Sequence, residues 1–387
     1  MDEFSIEIQD SINRIDFQEW NRFIRSDDLS MDPRIISLLE ETLRNQARFW
    51  IIIIKGPQKQ WIAVACLALF HTDIIQSSPL FVQKIIQKLR VYKPNTLKIK
   101  VLFCGLPIPA GQSHFRLAAS APTSKILDLL TQTMTKIARQ EKAHLIVFKE
   151  LNDQEKNEVK HLQSKGFFSG ELEPLFQFNP EFNNFDEYIS ALRSGYRRQI
   201  QLNMKKFNPL EYRVEHIFNP EEIYQKFTSE VHQLYLNVWH KAKEKLECFP
   251  REFFQKLPRA LSDRVVFTLI QYKNQPVAFS IGLLSLQSYH NLYVGLDYSH
   301  TEKADLYFNL FYQELGLIFT LKKKQIFLGQ TSTAFKTRLG AIPDARFFLV
   351  KPLNPLLKII FKYFKNLIMP KIQKLDSNQV FKMGSGL

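Results

Sequence analysis

The side chains able to do chemistry crowd into residues 289–350. Asp297 ends an apolar run, where a carboxylate is placed to orient or deprotonate an amine. Tyr298 and Tyr307 follow as candidate acids for a leaving thiol or hydroxyl. Gln330, Thr331 and Ser332 come just after a second apolar run and offer hydrogen bonds to a substrate, with Asn309 among the polar residues before them. Lys336 and Arg338 supply cations suited to a phosphate or a carboxylate. Plainer uses compete: a solvated strand end for Asp297, a helix cap for Ser332. The nine His residues show no HxxH or HxxxH spacing, so no metal site is expected. No G-x-S-x-G, Walker A or paired-carboxylate motif is present.

The spacing of apolar residues predicts the elements that must hold these groups. Residues 292–297 read as a buried strand. Residues 306–321 read as a helix, with Leu306, Leu310, Leu317 and Leu321 on one face and Asn309, Gln313 and Thr320 opposite. A strand at 325–328, a short helix at 332–339 stopped by Gly340, and a strand at 346–351 complete the stretch. The first half offers helices opened at Asp16 and Asp32, a hairpin of strands 49–55 and 61–70, and a strand at 97–105. An amphipathic helix at 126–139, a strand at 144–149, a helix capped by Asp153 and a strand at 175–178 follow. Polar residues 179–184 form the best linker. Beyond it come a basic helix from Asp186 to Lys206, a strand at 212–217, helices at 220–239 and 252–257, and a hairpin of 265–272 with 276–286. One order of elements is thus repeated at about half the chain length, as a duplicated domain would be. The expected division is 1–178, 179–352 and a tail of 353–387.

A chain of 387 residues exceeds what a single core usually organises. With 45% hydrophobic and 23% charged residues it reads as an ordinary globular protein, rich in Phe at 33 residues. The net charge of +14 favours an anionic partner such as a nucleotide, CoA, tRNA or lipid headgroup, or else reflects only a basic surface. Cys66, Cys104 and Cys248 are widely spaced and read as free thiols of a reducing compartment. The acidic N-terminus does not read as a signal peptide, and no apolar run reaches the ~20 residues of a membrane span. A cytoplasmic location is expected. Lys358, Lys362 and Lys365 stand at helical spacing opposite Ile359, Ile360, Phe364 and Leu367. This basic amphipathic helix suits either the inner face of a membrane or a core it would cap. Residues 376–387 read as flexible.

Four phrases carry a resemblance: Gly-Leu-Asp-Tyr at 295–298, Asp-Leu-Tyr-Phe-Asn-Leu at 305–310, Leu-Gly-Gln at 328–330 and Lys-Thr-Arg-Leu-Gly-Ala at 336–341. In this order of elements they resemble the second half of an acyl-CoA N-acyltransferase (GNAT) domain. The branch they are similar to is the bacterial GNAT-like proteins related to the Fem peptidoglycan aminoacyltransferases. The resemblance implies an α/β fold of two tandem GNAT-like domains, each a mixed central sheet flanked by helices. It implies an N-acyltransferase that takes acyl-CoA, such as acetyl-CoA, and a small-molecule or peptide amine. The thioester would lie where two parallel strands part, at 295–297, and the CoA pyrophosphate on the backbone of Ala304, Asp305 and Leu306. Catalysis would fall to Asp297, Tyr307 and above all Lys336, with Tyr298, Asn309, Gln330, Ser332 and Arg338 binding substrate. The glycine-containing phosphate loop of that superfamily is replaced here by Tyr-Ser-His-Thr-Glu-Lys-Ala-Asp at 298–305. A Fem-like aminoacyltransferase using aminoacyl-tRNA is the alternative, with Arg197 and Arg198 of the basic helix contacting substrate. A third reading is a non-catalytic binding protein that keeps the fold.

Overall fold

The computed structural model describes residues 4–25, 28–73, 87–92, 98–242, 248–368 and 379–382. They form two compact units. Unit 1 holds the described residues up to Glu173, with Cys248 and 345–368; unit 2 holds 174–242, 249–344 and 379–382. The chain first crosses from unit 1 to unit 2 between Glu173 and Pro174. Residues 345–352, expected with the second half, instead belong to unit 1.

In unit 1, β1 (Ser5–Gln9), β2 (Ala47–Lys55), β3 (Trp61–Asp73) and β4 (Lys98–Cys104) pair antiparallel in succession. The short β5 (Phe115–Leu117) pairs with β3. β6 (Leu145–Leu151) runs parallel to β4, and their last matched pair is Cys104 with Phe148. Residues 49–54 of β2 are all buried, which is why the sequence lost its two-residue alternation there. Helix Thr123–Gln140 covers the sheet by setting Ile126, Leu127, Leu130, Met134 and Ile137 into the core. Helix Asp153–Glu158 is closed by a capping box in which Asn152, not Asp153, is the cap.

The strand β7 (Phe168–Phe178) carries the chain from the first unit into the second. There β8 (Tyr212–Ile217), β9 (Val265–Tyr272), β10 (Gln275–Leu284) and β11 (Ser288–Leu296) pair antiparallel in order. β12 (Gln325–Phe327) runs parallel to β11 and antiparallel to the end of β7. β13 (Ile342–Pro352) then takes the chain back and pairs with β6 in unit 1. Among the described residues each unit contains a parallel strand pair, β4 with β6 and β11 with β12.

Two helices expected to be continuous are broken. Leu192 and Arg193 are extended, separating Phe185–Ala191 from the basic helix Ser194–Lys205. Thr228 caps Ser229–Lys241 and separates it from Pro220–Lys226. Conversely, Arg251–Leu261 runs through Pro258, near the end expected for the shorter helix. Part of the tail expected to be flexible is fixed: Val380 is buried and the Phe381 ring stacks on Phe178 at 6.1 Å. The remainder of 376–387 lies outside the described residues. No helix among the described residues is long and apolar enough to cross a membrane.

Gly295 on β11 shows how tightly unit 2 is packed. A Cβ there would come within 2.1 Å of the Phe279 ring and 2.8 Å of the Leu234 backbone. The backbone cannot swing aside as a side-chain tip can. Gly295→Ala is expected to destabilise the protein by about 1–3 kcal/mol in urea unfolding; an unchanged midpoint would refute this packing.

Candidate active site

The parallel pair β11–β12 ends at His290 matched with Phe327. Beyond that pair the strand after β12 turns to β7: the Leu328 N–H donates to the Phe176 carbonyl, and the Phe176 N–H donates to the Gly329 carbonyl. The two parallel strands therefore part at Asn291, opposite Leu328 and Gly329. This corrects the expected position at 295–297, where β11 remains paired with β10. Unit 1 repeats the device, with β4 and β6 matched no further than Cys104 and Phe148. There the Lys149 side chain lies directly over Gly105.

Lys336 reaches this opening from helix Thr333–Arg338. A Cβ built on Gly329 would lie 3.7 Å from both the Lys336 Nζ and the Asn291 carbonyl oxygen. Gly329 has φ +75°, a conformation that glycine adopts at little cost and that leaves the space open. The Lys336 side chain is 2% exposed, and its ammonium faces the Phe176 ring 5.7 Å away. Burial pushes its pKa down to about 7, so the amine is partly uncharged at neutral pH.

Sequence reasoning missed a buried carboxyl bonded to the Asn291 amide. Glu314, in helix Leu306–Thr320, is 2% exposed. The Tyr289 hydroxyl donates to it at 2.6 Å and the Asn291 amide at 2.9 and 3.1 Å. Burial outweighs these bonds and pushes its pKa up to about 7. The signal was available in the sequence, since Glu314 lies one turn from both Leu310 and Ile318 on the apolar face. His290 is buried against Phe327, with ring centroids 4.3 Å apart, and burial lowers its pKa to about 3. It is a neutral part of the wall.

The other predicted residues divide into two groups. Tyr307, Ser332 and Arg338 line a cavity of about 490 Å³ with Tyr196, Gln199, Asn203, Phe308, Tyr312 and Phe335. This cavity lies between the basic helix and helix Thr333–Arg338. Burial pushes the Tyr307 hydroxyl up to about 12, so it remains a proton donor at neutral pH. Ser332 has φ +62° and makes no side-chain cap bond, so the plain capping role does not account for it. Arg197 is half-buried and Arg198 exposed on the basic helix, but neither lines the cavity.

Asp297 and Tyr298 stand outside this cavity. Asp297 accepts hydrogen bonds from the N–H and hydroxyl of Ser299 and caps the turn that follows. Tyr298 lies under the Lys241 ammonium, 3.2 Å from its ring centroid. Asn309, expected on a polar face, is buried; its amide donates to the carbonyls of Asn203 and Ala304 at 2.9 and 2.7 Å. It ties the basic helix to the start of helix Leu306–Thr320. At that start Ala304 and Leu306 are fully buried, and Asp305 is left-handed and paired with Lys206 at 3.1 Å. Asp305 is the residue at the helix N-terminus to which the pyrophosphate was assigned, and its side chain makes no cap bond there. Gln330 is half-buried after β12.

The two depressed and raised groups give stability a defined pH signature. Glu314 ionises near 4.5 in the unfolded chain and near 7 in the folded one, so its contribution is present below pH 4.5 and is lost as pH rises to 7. Lys336 titrates near 10.5 unfolded and near 7 folded, so its contribution is present above pH 10.5 and is lost as pH falls to 7. Subtracting the unfolding free energy of Glu314→Gln from that of the natural protein should give a difference falling by roughly 2–4 kcal/mol between pH 4.5 and 7. The difference from Lys336→Met should rise by a similar amount, roughly 2–4 kcal/mol, between pH 7 and 10. A flat difference in either window would contradict the burial.

The FemAB-like family model, described as peptidoglycan biosynthesis/recognition, matches residues 97–366. Among curated proteins no sequence matches. Among solved structures, FemX is 12% identical, with a TM-score of 0.54 over 93% of this chain and 100% of that one. The C-terminal domain of a putative lysylphosphatidylglycerol synthetase from Agrobacterium fabrum is 10% identical, with a TM-score of 0.52 over 93% and 98%. A tandem GNAT protein from the clavulanic acid biosynthesis pathway is 9% identical, with a TM-score of 0.54 over 91% and 99%. At such identities the likeness is one of fold, and that fold is the tandem GNAT arrangement.

Proposed function

The chain belongs to the FemAB-like family, and from that premise we propose that it transfers an aminoacyl group from an aminoacyl-tRNA ester to an amine of a peptide acceptor. The observation that carries this reading is the buried Lys336 at the parting of β11 and β12. An attacking amine must shed a proton, and a departing ribose oxygen must gain one. A lysine with a pKa near 7 does both: it takes the proton as the C–N bond forms and returns it as the ester C–O bond breaks. Arginine, charged at every working pH, cannot replace it in this role.

Two features favour a tRNA donor over acyl-CoA. The expected pyrophosphate seat presents Ala304 and Leu306, both fully buried, beside the Asp305 carboxylate. The basic helix carries Arg197, Arg198 and Lys205, and cations on one exposed helix suit a phosphodiester backbone. The aromatic cavity beside it fits a stacked terminal nucleoside, with Arg338 for a phosphate. The same short helix supplies both parts: Phe335 and Arg338 line the cavity, and Lys336 is buried beside Gly329.

Two measurements test this. Charged tRNA should bind with a steep salt dependence, and the double change Arg197→Ala, Arg198→Ala should reduce the slope by about one per residue. Saturable binding of acetyl-CoA without tRNA binding would reverse the donor assignment. Lys336→Met and Lys336→Arg should each lower turnover about 10²- to 10⁴-fold, with charged-tRNA affinity retained. Full activity in either variant would remove Lys336 from the chemistry.

A further inference from the structure

A second cavity lies in unit 1 and has no part in the chemistry at Lys336. It measures about 470 Å³ and is bordered by Lys136, Arg139, Lys165 and Lys351, with Asp128 as the one carboxylate in its lining. Asp128 is already engaged, by Lys165 and by His161 at 3.1 Å. Lys136, Arg139 and Lys351 are left with no other carboxylate in the lining to offset them. Lys351 is half-buried at the end of β13. Burial lowers its pKa first, and Lys358, Arg139 and Lys165 lower it further. Positive charges thus converge on a concave face, an arrangement that an anion relieves.

The lining says which anion. Gln132 and Gln140 add amide donors, while the hydroxyls of Thr131 and Thr135 donate to the carbonyls of Asp128 and Thr131. No aromatic side chain borders the cavity, so it suits a phosphate and offers nothing on which a base could stack. Lys351 is recessed, whereas Lys136 and Arg139 are exposed one turn apart on helix Thr123–Gln140. Exposed cations gain little from one small ion but release counterions from a chain of phosphates. A bilayer fits less well. Helix Pro355–Ile368, with Leu356, Ile359 and Tyr363 exposed, packs through Leu357 and Phe361 on Val101, Leu145 and Val147. This helix therefore does cap a core. Helix Thr123–Gln140 packs on Leu102, Ile146 and Phe148. Those two sets alternate along β4 and β6, so the helices cover opposite faces of the sheet. Lipid docked on the cavity would leave the apolar stripe facing away from it.

We propose that the phosphodiester backbone of an RNA binds in this cavity, with one phosphate against Lys351 and its neighbours across Lys136 and Arg139. The inference rests on the donor reading for the identity of that RNA, a tRNA, but it uses residues that the donor contacts do not.

Binding of uncharged tRNA to the full chain, followed from about 50 to 200 mM salt, decides the matter. Lys136→Gln with Arg139→Gln, both exposed positions, should lower the slope of log affinity against log salt by about two. Circular dichroism of this variant should match that of the natural protein. A slope that falls in Arg197→Ala with Arg198→Ala but holds in Lys136→Gln with Arg139→Gln would overturn the inference and leave the donor reading standing. A slope that falls only in Lys136→Gln with Arg139→Gln would uphold it and take the RNA off the basic helix. Absence of tRNA binding would overturn both. So too, for this inference alone, would an unchanged tRNA slope in Lys136→Gln with Arg139→Gln combined with lost flotation on phosphatidylglycerol vesicles, which would make the face a lipid surface instead.

Discussion

Parallel strands that stop pairing inside a sheet leave a gap, and the candidate site of this protein is built around one. β11 and β12 share only three matched positions before the chain after β12 turns to β7. Helix Thr333–Arg338 lies at this gap, and the side chain it delivers beside Gly329 is Lys336. Low dielectric then lowers the pKa of this lysine to about 7, the property on which its proposed role as a base rests. The carboxyl of Glu314, fixed by Tyr289 and Asn291, is subject to the same burial. The two groups shift in opposite directions for one reason: burial penalises whichever form is charged.

The net charge of +14 resolves into parts with different physics. Lys336 is buried and sheds its charge readily. The basic helix Ser194–Lys205 keeps Arg198 and Lys205 toward solvent while Asn203 and Ile200 anchor it to the core. The third group converges on a cavity in unit 1. Each would respond differently to salt: exposed cations are screened within about 8 Å at physiological ionic strength, whereas a buried amine is scarcely affected.

Periodicity made most of the elements legible, because burial of one face leaves a pattern in the sequence. Both hairpins, the helix Leu306–Thr320 and the capped starts at Asp16 and Asp32 could be read this way. What periodicity does not carry is strand register. The parting of β11 and β12 was therefore placed several residues late, and β13 was assigned to the half it follows in sequence instead of to β6, with which it pairs. Apolar spacing also continued straight through Leu192 and Phe227, hiding two breaks where the backbone leaves the helical region. Lys336 was accessible through a resemblance of wording. Glu314 left only its position on the apolar helix face as a signal, and that signal gains meaning once its partners Tyr289 and Asn291 are seen. Asn309 was misplaced for the converse reason: its amide is used within the fold and so must be buried.

The central claim is that one lysine titrates near neutrality at the parting of two strands. Carbon-13 NMR of Cε-labelled lysines across the pH range observes this directly. The expected result is a single lysine resonance with its midpoint near pH 7, present in the natural protein and missing from Lys336→Met. A Lys336 resonance that holds its charge to the ordinary lysine range, near 10.5, would contradict it.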